Sequence, residues 1–87
     1  EQIKVYPNPA TSIVLLQPNF NGKGLLNYTL YDATGKSLLQ KTETLQNGNE
    51  MQQLDVSHLA NGQYWLQVQW QSKASKQIGT FKIDKLN

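Results

Sequence analysis

The sequence predicts an all-β protein, a seven-stranded antiparallel sandwich, on three observations. Apolar and polar residues alternate around Tyr28 and around Leu66, the period-two pattern of half-buried strands. Turn-forming residues recur roughly every eight to twelve positions, the spacing of a sandwich. No stretch carries the apolar spacing of an amphipathic helix. Eighty-seven residues make one small domain. Size scaling lets such a chain bury roughly 64% of its unfolded surface, enough for one two-layer core and little room for a deep cleft.

Ile3-Lys4-Val5-Tyr6 is the first strand, ended by Pro7-Asn8-Pro9, where two prolines remove backbone donors. Ser12 to Gln17 is the second, closed by Pro18-Asn19 ahead of the loop Asn21-Gly22-Lys23-Gly24. Leu25 to Tyr31 is the third, with Leu26, Tyr28 and Leu30 on one face. In the following turn, Asp32 to Lys36, Gly35 is placed to take a positive φ. Ser37 to Thr44, rich in Lys, Gln and Thr, is the fourth strand and belongs at a sheet edge.

Gln46-Asn47-Gly48-Asn49 is a turn on its Asn-Gly pair, and Glu50 to Leu54 is the fifth strand. Asp55 to Gly62 is a compact crossover with one turn of 3₁₀ helix, in which Asp55 accepts a backbone amide from Ser57 or His58. Gln63 to Trp70 is the sixth strand. Tyr64, Leu66, Val68 and Trp70 share its inner face, and Trp65, Gln67 and Gln69 its outer one. Lys76 to Asp84 is the last strand, where Ile78 and Phe81 fall out of phase and predict a bulge near Gly79-Thr80. Glu1 and Gln2 read as the end of a linker, and residues 3–87 as a single domain.

Composition removes several functional classes. The net charge is +2, and the eight basic residues are all lysines scattered along the chain, which reads as solvated surface rather than a nucleic-acid footprint. The absence of cysteine excludes disulfides and thiolate metal sites. The longest apolar run, Ile13-Val14-Leu15-Leu16, has strand length, far short of the ~20 residues that span a bilayer, so no direct membrane insertion is expected. The start, Glu1-Gln2-Ile3-Lys4, lacks the apolar stretch of a signal peptide, so an export signal lies elsewhere or is the domain itself.

Catalysis needs a nucleophile, a base and a group that stabilises developing charge. The single histidine, His58, has only its turn neighbours Asp55 and Ser57 beside it and reads as a surface residue. Asp32, Asp55 and Asp84 lack the spacing of a calcium loop and read as turn formers, so no metal or cofactor is expected. Trp65, Trp70 and Tyr31 suggest a flat platform for a sugar. The competing reading puts Trp70 and Tyr64 in the core and packs Trp65 against side chains outside.

Three motifs recur in a fixed order: Val5-Tyr6-Pro7-Asn8-Pro9-Ala10, Leu30-Tyr31-Asp32-Ala33-Thr34-Gly35-Lys36, and Asp55-Val56-Ser57-His58-Leu59-Ala60-Asn61-Gly62-Gln63-Tyr64. With a lysine-bearing final strand, the set closely resembles the type A C-terminal sorting domain of the type IX secretion system of Bacteroidota, over essentially the whole chain. The resemblance implies a seven-stranded antiparallel Ig-like β-sandwich that addresses an N-terminal cargo protein in cis and catalyses nothing. It implies passage through the periplasm, recognition by an outer-membrane translocon, transfer to a shuttle protein, and cleavage by a cell-surface sortase. The cargo is then attached to the cell surface or released. Motif positions fall on Pro7, Asn8, Pro9, Gly35, Lys36, Gly62 and Tyr64, with Lys82 and Lys85 in the terminal segment.

Physical roles stand beside these. Pro7 and Pro9 stiffen the start of the fold, Gly62 permits a reversal, and Tyr64 anchors its strand in the core. Asn8, Lys36, Lys82 and Lys85 are expected to be solvated and free for recognition. The alternatives are a carbohydrate-binding or adhesive Ig-like module, and a passive Ig-like spacer.

Overall fold

A computed structural model describes residues 2–87; Glu1, half of the expected linker end, lies outside them. Seven strands follow in chain order: β1 (Ile3–Tyr6), β2 (Ile13–Pro18), β3 (Gly24–Asp32), β4 (Ser37–Leu45), β5 (Gln52–Asp55), β6 (Gly62–Gln71) and β7 (Lys76–Lys85). They form two antiparallel sheets, β1-β2-β5 and β4-β3-β6-β7, with no helix among the described residues. The all-β, Ig-like sandwich read from the sequence is the fold.

Alternation builds the core. Leu26, Tyr28 and Leu30 of β3 and Tyr64, Leu66, Val68 and Trp70 of β6 point inward and meet Val14, Leu16 and Leu54 of the opposing sheet. Fully burying each leucine or valine contributes about 1.5–3 kcal/mol. Trp70 stacks on Phe20 with ring centroids 4.8 Å apart and planes 1° from parallel. Gly24 makes room for that indole: a Cβ there would lie 2.6 Å from the Trp70 ring and from the Gln71 carbonyl. β4 is an edge strand, as expected. Its Lys41 and Glu43 sit in the inward phase yet are exposed, a charge pattern that blunts edge-to-edge pairing.

Several strand ends move by one residue, and three departures have a physical cause. Pro18 belongs to β2, paired with Ile3, because an antiparallel partner on one side only leaves a proline's missing donor unused. β5 starts two residues late, since the Glu50 carboxylate turns back to accept the amides of Gln46 (3.0 Å) and Asn47 (3.1 Å). The crossover holds a single turn closed by Leu59 N–H to Val56 O (3.0 Å), the i→i+3 bond of the one 3₁₀-type turn expected there. No bulge interrupts β7, whose register with β6 runs unbroken from Gly62–Lys85 to Gln71–Lys76. Ile78 simply faces solvent at 60% exposure, while Phe81 and Ile83 keep the inward phase. The irregularity lies instead between Leu30 and Tyr31, where β3 meets β4.

Register fixes what lies at each end. Asp32 pairs with Tyr64 and Gly62 with Lys85, so the end of β3, the start of β6 and the end of β7 share one pole. Leu25, Gln71 and Lys76 mark the other.

Candidate functional site

All three sequence motifs converge on the first pole. The Pro7–Ala10 segment crosses from β1 to the open edge of β7. Prolines 7 and 9 cannot donate to that edge, and the Asn8 side chain does so in their place. Its Nδ2 donates to Lys82 O (2.9 Å), and its Oδ1 accepts the Asp84 amide (2.9 Å). Ala10 then continues as a parallel bridge to Lys85, its amide donating to Asp84 O (2.8 Å) and its carbonyl accepting the Leu86 amide (2.9 Å). The peptide bonds preceding both prolines are cis. The prolines follow directly on β1, where the sequence placed them, and lie on the path that carries the chain from one sheet to the other. Asn8 is exposed but committed to β7.

The other two motifs use one device twice. Asp32 Oδ1 accepts the Thr34 amide (2.9 Å), the Thr34 hydroxyl (2.6 Å) and the Lys36 amide (3.0 Å). Asp55 Oδ1 accepts the Ser57 amide (2.9 Å) and hydroxyl (2.6 Å). Each is a short acidic side chain folding its own turn. The hydroxyls of Thr34 and Ser57, ahead of the amides, hold the two carboxyls below the ordinary range. Gly35 takes φ +89°, as its place in the hairpin requires, and the Lys36 side chain beyond it is exposed. Gly62 takes φ +151° at the start of β6. Two residues on, the Tyr64 hydroxyl donates to Ala60 O (2.7 Å) while its ring is buried, the tyrosine corner of Ig-like sandwiches.

The two terminal lysines part company. Lys82 faces solvent beside Trp65. Lys85, expected to be solvated, is 2% exposed because the unbroken phase of β7 turns it inward after Ile83. Its ammonium donates to Leu86 O (3.2 Å) and Asn87 Oδ1 (3.1 Å), which replace part of its hydration. No buried side-chain polar atom among the described residues is left without a partner.

This pole offers shaped backbone, locked turns and the exposed lysines Lys36 and Lys82. His58 is exposed in the crossover, and the Asp55 carboxylate near it is committed to Ser57. Among the described residues no group of three or more His, Cys, Asp or Glu is placed to hold a metal ion. A cleft of about 830 Å³ lies at the opposite pole between residues 21–25 and 71–74, away from every motif. Sequence reasoning placed the turn residues but missed the Asn8 clasp, whose partners are 74 and 76 residues away. A signal for the paired turns was available in the repeated Asp-x-Thr/Ser of Asp32-Thr34 and Asp55-Ser57.

The site is thus one surface of a small Ig-like sandwich, shaped by turns and by side-chain bonds to backbone. Residues 4–80 match the secretion system C-terminal sorting domain family, and the chain belongs to it. Members are the C-terminal sorting signals of type IX secretion, a family not itself catalytic. Membership implies a cargo in cis, dependence on the type IX machinery, and export to the cell surface or medium.

No curated protein matches the chain in sequence. Among solved structures, the fold is similar to part of dimeric latent PorU from Porphyromonas gingivalis, with a TM-score of 0.77 and 16% identity. That likeness covers 97% of this chain and 9% of PorU. CopC from Methylosinus trichosporium OB3b gives 0.67 and 17%, covering 95% of this chain and 92% of that one. A β-glucuronidase from Parabacteroides merdae gives 0.63 and 14%, covering 98% and 13%. At these identities the likeness is one of fold.

Proposed function

We propose that residues 3–87 act as the folded address of an N-terminal cargo, and that the motif pole is the surface the secretion machinery reads. The convergence of the three motifs on that pole carries the reading. Asn8 and Ala10 clasp β7, Asp32 aligns with Tyr64, and Gly62 aligns with Lys85. In this reading the outer-membrane translocon meets the domain in the periplasm through this pole. A shuttle protein carries it outward, and a surface sortase cleaves the linker, leaving the cargo attached or released. Pro7, Asn8, Pro9, Gly35, Gly62, Tyr64 and Lys85 give the surface its shape. Lys36 and Lys82 supply its charge, suited to carboxylates on a partner.

A reporter carrying a signal peptide and ending in these residues tests this. In type IX-competent cells it is expected at the surface or in the medium, and in machinery-deficient cells in the periplasm. Equal periplasmic retention in both strains would overturn the sorting reading. Normal export of a Lys36→Glu, Lys82→Glu double variant would remove the pole's charge from recognition.

A further inference from the structure

The outward face of the four-stranded sheet is a second surface that sorting leaves unused, apart from Lys82. Register makes Tyr31, Trp65 and Lys82 direct neighbours across β3, β6 and β7. Trp65 is 40% exposed, whereas Trp70 on the inner face is 1% exposed. The next row on the same face is Thr29, Gln67 and Thr80, hydroxyl and amide throughout. Lys76 closes the face at the opposite end of β7. Along the outward positions of all four strands the one carboxylate is Asp84, at the extreme end. The other exposed apolar residues of this face within β3 and β7, Leu25 and Ile78, lie on strands separated by Gln69 and Gln71 of β6. No broad apolar centre of the kind that anchors protein partners forms between them.

Ring faces beside hydroxyls and amides suit a pyranose, which presents C–H groups on its faces and hydroxyls at its rim. Lys82 and Lys76 stand about 20 Å apart by the rise of an extended strand. That separation suits acid groups repeated along a polymer, and the face between them offers nothing to repel such groups. We propose that this face binds an acidic polysaccharide. Trp65 and Tyr31 stack on one sugar ring, Gln67 and the threonines bond its hydroxyls, and the two lysines meet its carboxylates.

The test titrates the 87-residue chain with an oligogalacturonate and, in parallel, a maltooligosaccharide of equal length, followed by tryptophan fluorescence and backbone amide shifts. The acidic chain is expected to give a saturable change centred on amides flanking Trp65, weakened as salt rises. Trp65→Ala is expected to weaken binding about tenfold, the loss of one stacking contact. Lys76→Gln, an exposed change at a strand end, is expected to weaken it severalfold and keeps the test open should Trp65→Ala fold poorly. The proposal is overturned by no saturable change, by equal binding of the neutral chain, or by shifts that leave the amides around Trp65, Gln67 and Thr80 unmoved. Sorting of the reporter is a separate readout, so either reading can fail without the other.

Discussion

The two poles of the sandwich differ in what is added to their turns. At the motif pole, side chains bond to backbone: Asn8 to β7, Asp32 and Asp55 to their own turns, Tyr64 to Ala60. At the other pole such bonds recur in the Glu50 and Ser72 turns, and aromatic packing is added to them, with Phe20 stacked on Trp70 and Gly24 pressed against the indole. Packing is tolerant of sequence, since many apolar sets fill a similar volume. A clasp made by one amide between two prolines has few substitutes. The motifs therefore mark the pole where geometry is specified residue by residue, while the packed pole carries much of the stability.

Substitutions sharpen this contrast. Trp70→Ala, at the packed pole, is expected to cost about 3–5 kcal/mol. That is a large share of the stability of a domain this size, and a urea titration should find the variant unfolded or nearly so. Asn8→Ala removes two hydrogen bonds at the motif pole for a smaller loss of about 1–3 kcal/mol. Its signature is local: the Asp84 amide should exchange with solvent much faster, while amides of Leu66 and Val68 remain protected. Global loss equal to that of Trp70→Ala would erase the distinction between the poles.

The smallest effect is a pH dependence. Asp32 and Asp55 have folded-state pKa values lowered by the hydroxyls and amides they accept, and Glu50 by the amides of Gln46 and Asn47. Because the folded values lie below the unfolded ones, the unfolded state binds protons first on acidification. The contribution is thus fully present above about pH 4–5 and is lost as pH falls through the folded values. Unfolding midpoints measured from pH 7 to pH 2 should decline in that lower range. The Asp32→Asn, Asp55→Asn pair should flatten the decline more than Glu50→Gln does, placing most of the acid sensitivity at the motif pole.

Much of the fold was legible because strand periodicity is a local signal. Leu26, Tyr28 and Leu30, or Tyr64 through Trp70, announce their faces within a few residues. Ile78 misleads because an apolar side chain out of step with Phe81 mimics a bulge; counting outward from the buried Ile83 in steps of two leaves it on the solvent face. The same count buries Lys85, whose residue type alone points to solvent. Asn8 was singled out as a motif position, but its work was hidden, since its partners are backbone groups of the last strand. The neighbourhood of Tyr31 and Trp65 was hidden likewise, because cross-strand register is not written in either strand alone.

The clasp between Asn8 and β7 also sets an order of events in the life of the chain. Its two halves are made 74 residues apart, and nearly the whole domain must be synthesised and delivered before they can meet. Contacts so distant in sequence form late, after nearer strand pairs have shortened the loop between them. A chain broken anywhere between Ala10 and Lys82 presents Pro7-Asn8-Pro9 with nothing to close upon. The shape of the motif pole is therefore a property of the whole domain, set only when the last strand has taken its place beside the first turn.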